Sequence, residues 1–102
     1  MPDITFTRTG PSIAANPGVL NVTGGEEVNF HTNERVYVTF DSKAWPFDEP
    51  FVTITVQPVT GAGPYTVRET TTVTRGGYTV STQVQQSTPV GVMVSAEIDI
   101  EP

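Results

Sequence analysis

Three runs, EVNFHT (27–32), RVYVTF (35–40) and FVTITVQ (51–57), alternate apolar and polar residues with a period of two. That period is the mark of strands that bury one face and expose the other. Between the second and third runs lies DSKAWPFDEP (41–50), the only dense aromatic loop, with Trp45, Phe47 and, at its exit, Phe51. Pro46 and Pro50 lack a donor and bias Trp45 and Glu49 towards extended backbone, so this loop is stiff and cannot be ladder interior.

Register limits how these strands connect. A tight two-residue turn at Gly24-Gly25 sets Val22 against Glu27, and one at Asn33-Glu34 sets His31 against Val36. Cross-strand neighbours share a face, so either pairing mixes core and solvent residues. An odd loop removes the conflict, and so does a chain that crosses from one sheet to another at these points. Both solutions suit two packed sheets better than a meander.

Working outward, Ile4 and Phe6 mark a first strand that Gly10-Pro11 ends, and the Ala14–Gly18 stretch reads as a turn with Pro17-Gly18 at the centre of type II geometry. Val19–Thr23 follows as a strand. Val52, Ile54 and Val56 point inward from a short strand that Pro58 stops, and Thr60–Pro64 is a turn. Gly76-Gly77 suits a type I′ hairpin turn joining strands within 65–84. That pairing puts Val67, Val73, Val80, Thr82 and Val84 on an apolar face and Thr70, Thr72, Thr79, Ser81 and Gln83 on a polar one. Glu69 falls on the apolar side and is expected at a sheet margin or bulge. Gln85–Pro89 is a loop, and Val92–Ile100 is the longest strand, with Glu97, Asp99 and Glu101 outward. The expectation is one all-β domain over residues 1–102, an antiparallel β-sandwich.

Totals remove several function classes. At 102 residues the chain buries roughly two thirds of its unfolded surface. It has no cysteine, which excludes disulfides and thiolate metal sites. Five basic residues against eleven acidic ones give a net charge of −6. The basic residues are scattered, so neither a nucleic acid nor an anionic membrane surface is an expected partner. No run approaches the ~20 apolar residues of a membrane span. The amino terminus shows no basic segment followed by an apolar run, so no secretion leader is expected.

The run LNVTGGEEVNF (20–30) resembles the cupredoxin pattern, in which an apolar strand, a Gly-acid turn and V-x-F precede the loop to the first copper histidine; immunoglobulin-like strands are similar to it as well. The resemblance implies a Greek-key sandwich of seven or eight strands. It does not carry the copper. A blue-copper site needs a cysteine thiolate and two imidazoles, and this chain offers His31 alone, which leaves Met93 without the other ligands.

Trp45, Phe47, Asp48, Glu49 and Phe51 are the candidate binding residues. Exposed, the rings would form a platform for a sugar or peptide, with Asp41, Asp48 and Glu49 as polar partners. Buried, they plug the open end of the sandwich, which is the expectation for apolar rings. Those carboxylates lack the twelve-residue loop of a calcium site. His31 has no cysteine partner and no serine sits in a nucleophile elbow, so no catalytic residue, metal or cofactor is assigned. Asn21-Val22-Thr23 matches a glycosylation acceptor, a triplet common by chance. The reading is a non-enzymatic structural or interaction module, a building block or decoration of a larger assembly, with a protein partner or self-assembly. The alternative is a carbohydrate- or peptide-binding module that uses the Trp45 loop.

Overall fold

A computed structural model describes residues 2–102. Nine strands follow in order: β1 (Asp3–Thr9), β2 (Ser12–Asn16), β3 (Val19–Thr23), β4 (Glu27–Thr32), β5 (Val36–Phe40), β6 (Ile54–Val56), β7 (Ala62–Thr66), β8 (Thr74–Gln85) and β9 (Thr88–Glu101). The chain is all-β among the described residues, with one turn of 3-10 helix at Ser42–Ala44. The period-two runs became β4, β5 and β6, and their alternation decides their faces. Val28 and Phe30, Val36 and Val38, and Ile54 and Val56 are all buried.

Two sheets result, one of four strands in the order β2-β1-β4-β7 and one of five in the order β3-β9-β8-β5-β6. The chain crosses between sheets from β3 to β4 and again from β4 to β5, at the two points where a tight hairpin would have mixed faces. Inward residues of both sheets belong to one core, in which Phe6 of β1 meets Tyr78 of β8 edge-on at 6.3 Å.

The expected antiparallel arrangement is corrected. β1 runs parallel to β4, and β3 runs parallel to β9. Parallel neighbours need a crossover rather than a hairpin, and here the crossover is passage through the other sheet. Nine strands rather than seven or eight also follow among the described residues, because Ser12–Asn16, which overlaps the Ala14–Gly18 stretch expected as a turn, is a strand paired with β1 from Thr5↔Asn16 to Thr9↔Ser12. Pro17 and Gly18, expected at the centre of a type II turn, form the bend between β2 and β3, and the Asn16–Pro17 bond is cis.

The hairpin expected at Gly76-Gly77 lies elsewhere. Both glycines are interior to β8, where Gly76 pairs with Ile98 and Gly77 with Glu97. A Cβ on Gly76 would stand 2.8 Å from the Ala44 carbonyl oxygen and 3.3 Å from that of Ile98, so the glycine serves close backbone approach. The real turn is Gln86-Ser87, closing the Gln85↔Thr88 pair with φ of 51° and 66°, both positive as in a type I′ turn. β9 therefore starts at Thr88, inside the stretch expected as a loop.

Three side chains expected inward or outward also change places. Val52 and Val73 are exposed (45% and 54%), since both lie outside the ladders. Ser81, expected on the polar face, is fully buried beside a register shift between Ser81 and Gln83, and its hydroxyl donates to the Gln83 carbonyl at 2.8 Å. Glu69 lies outside the strands, against Gly24.

Candidate functional site

The loop between β5 and β6 begins with a local device. The Asp41 carboxylate accepts from the Lys43 amide at 3.0 Å and its carbonyl from the Ala44 amide at 2.8 Å, which winds Ser42–Ala44 into the single 3-10 turn. The chain then passes over β8 and drives Trp45 and Phe47 into the core, leaving them 9% and 4% exposed. Trp45 meets Phe40, Phe47 and Phe51 edge-on, with centroids 5.2–5.4 Å apart. Such pairs are worth about 0.5–1.5 kcal/mol each beyond the area they bury.

Residues 46–49 do a second thing, which the sequence did not show. They run beside the end of β7, an edge of the four-stranded sheet, and the two residues that follow it. Phe47 bridges to Val67, the Asp48 amide donates to the Thr66 carbonyl at 2.9 Å, and the Arg68 amide donates to the Pro46 carbonyl at 2.9 Å. Glu49 closes the arrangement from both ends. Its carbonyl accepts from the Trp45 indole Nε1–H at 2.7 Å, and its Oε1 accepts from the Thr66 amide at 2.8 Å. The end of an edge strand is thereby covered by a loop, and the Thr66 amide there is satisfied by a carboxylate.

Of the five residues singled out, Trp45, Phe47 and Glu49 are thus brought together in holding the fold, while the Asp48 side chain faces solvent. Phe51 remains 48% exposed, standing edge-on to Trp45 with Val52 beside it in sequence. Tyr65 was missed. It contacts Phe47 at 5.1 Å and Trp45 at 6.3 Å, and burial, then the Glu49 carboxylate, pushes its phenol upward. Its one signal in the sequence is that it follows Pro64 at the start of an alternating run.

The outer face of the five-stranded sheet carries a shallow open groove of ≈ 430 Å³, where Gly77 presents no side chain between Thr39, Thr79 and Ser95, with Asp41 and Glu97 at its rim. Along β9, Glu97 is held above the usual carboxylate range, first by a hydrogen bond with Asp99, then by partial desolvation and the Asp99 charge. His31 Nε2 lies 3.0 Å from Asp3 Oδ1 with both side chains about half exposed. Among the described residues no three His, Cys, Asp or Glu side chains converge as metal ligands would. No helix is long and apolar enough to cross a membrane among the described residues.

No protein-family model, curated protein or solved structure matches this chain. The run that resembles cupredoxins, residues 20–30, spans β3 and β4, which belong to different sheets.

Proposed function

We propose that this chain is a β-sandwich module of the immunoglobulin-like kind, that it serves as a structural or interaction unit within a larger assembly, and that it catalyses no reaction. The sandwich reading is supported by the single core to which both sheets contribute. One observation carries the functional reading: the Trp45 loop is engaged internally. Its indole N–H, the Glu49 carbonyl and the Glu49 carboxylate all have partners within the fold. A sugar platform needs rings and polar groups facing outward, and here one ring, Phe51, does so. The partner is a protein, met along strand edges and sheet faces.

Phe51 and Val52 favour the second reading, a small carbohydrate- or peptide-binding patch beside Trp45. Trp45 is the only tryptophan, so its fluorescence reports on that patch directly. Titration with a panel of oligosaccharides should leave the emission unchanged. A saturable shift in emission that Phe51→Ala removes would overturn the module reading in favour of the second.

A further inference from the structure

The sides of the two sheets are finished differently. At the end of β7 the backbone from Thr66 to Arg68 is covered by residues 46–49 and capped by Glu49. β3, an edge of the five-stranded sheet, has no such cover among the described residues. Its ladder to β9 is parallel, with Val19↔Glu97, Asn21↔Asp99 and Thr23↔Glu101 as partners, and the Glu97 amide donates to the Gly18 carbonyl at 3.0 Å. In a parallel ladder alternate residues of a strand turn their N–H and C=O to the same neighbour. Leu20 and Val22 therefore serve β9, and Val19, Asn21 and Thr23 turn theirs away from it. Thr23 verifies that phase, because its amide points outward to the Glu26 carboxylate at 2.6 Å. Val19 and Asn21 have no such cap among the described residues, and both are exposed.

We propose that the β3 edge takes up an extended basic segment of a protein partner as a sixth strand of the five-stranded sheet. The inference rests on the interaction-module reading and names its partner's chemistry. Main-chain groups of Val19 and Asn21 supply the ladder that strand addition requires. The charge comes from the next strand. Glu97, Asp99 and Glu101 stand in register beside Val19, Asn21 and Thr23, with Arg75, opposite Asp99, as the cation of that row. Strands are spaced about 4.8 Å apart, so an added strand lies roughly 10 Å from β9. Lysine or arginine at alternate positions spans that distance over the short, uncharged side chains of β3. The intervening positions continue the face that carries Leu20 and Val22 and take apolar residues.

A second copy of this chain is a poorer occupant. Edge-to-edge pairing through β3 would bring two acidic rows together, on a chain whose net charge is already −6.

The test uses the whole chain and a synthetic acetyl-Lys-Val-Lys-Thr-Lys-Val-Lys-amide peptide, with glutamate in place of lysine as the control. At about 0.01 M salt, where the Debye length is roughly 30 Å, the lysine peptide should slow amide exchange at Val19 and Asn21 and the control should not. Asn21→Pro removes an N–H that faces away from the β9 ladder and should abolish that binding. Should that variant melt early, the surface pair Glu97→Gln and Glu101→Gln decides, with an expected loss of about tenfold in affinity. Protection at Ile13 and Ala15 of β2, protection around Phe51, equal binding of the glutamate peptide, or no binding would each overturn the proposal. An oligosaccharide response at Phe51 would instead overturn the interaction-module reading, so the two failures are separable.

Discussion

Replacing Trp45 by alanine tests the central claim, that the aromatic loop is part of the core. The indole is 9% exposed and meets Phe40, Phe47 and Phe51 at 5.2–5.4 Å. Removing such a ring leaves a cavity, and large aromatic truncations in cores cost about 3–5 kcal/mol. The loop also covers the β7 edge, so the variant loses the Nε1–H bond that holds Glu49 in place for Thr66. Domains of this size have only about 5–15 kcal/mol in total. For a chain of about 100 residues, each kcal/mol moves the melting temperature by roughly 4–8 °C, so a fall of about 12–40 °C is expected. Far-UV circular dichroism on heating and in urea measures it without needing the lost fluorophore. Phe51→Ala, which removes a half-exposed ring from the same loop, should cost distinctly less. A Trp45→Ala protein within about 1 kcal/mol of the parent would refute the core assignment.

The two neighbouring glycines of β8 should part company. Gly76→Ala places a methyl 2.8 Å from the Ala44 carbonyl and should cost about 1–3 kcal/mol, whereas Gly77→Ala meets nothing within 4 Å and should change stability by less than about 0.5 kcal/mol; equal losses in chemical denaturation would restore the turn reading. Tyr78→Phe should stabilise the protein by about 1 kcal/mol, because the phenol oxygen is buried without a partner among the described residues. Burial also pushes the Tyr78 phenol well above its ordinary 10.0. The unfolded chain then loses this proton before the folded one as pH rises past that value. Parent stability should therefore fall with pH in that window, and the Phe variant, followed by denaturant midpoints, should fall less steeply.

What the sequence made legible was local. Period-two alternation places β4, β5 and β6 because each residue's face is decided by its immediate neighbours along the strand. The crossing between sheets was legible too, as one of two ways to avoid pairing Val22 with Glu27 or His31 with Val36. The parallel pairs β1/β4 and β3/β9 were not, since nothing near Ile4 or Leu20 announces a partner that arrives 26 or 78 positions later. Gly76-Gly77 shows the same limit. A glycine pair serves a left-handed turn and a close backbone approach equally well, and only the distant Ala44 carbonyl distinguishes them. The actual turn used Gln86 and Ser87, residues that do not advertise positive φ.

The site followed the same division. That Trp45 and Phe47 are buried was legible from ring chemistry, but the backbone contacts of Glu49, a polar partner for a ligand only if the rings stand exposed, were not. The reason is geometric. A loop that folds its rings into the end of the core must run beside β7, and there the Thr66 amide needs an acceptor. Glu26 does the same for Thr23 at the end of β3, by way of a turn in which its own amide donates to the Thr23 carbonyl at 3.2 Å. One carboxylate satisfies one amide, so each edge is closed only as far as its glutamate and accompanying backbone reach. At β7 the loop brings backbone at Pro46, Phe47 and Asp48 along with Glu49, and the cover extends from Thr66 to Arg68. At β3 the glutamate comes on a tight turn, and among the described residues nothing caps the outward backbone of Val19 and Asn21. Which edge is available is therefore decided by loop length. The long aromatic connection covers the edge it passes, and the short Gly24-Gly25 connection cannot.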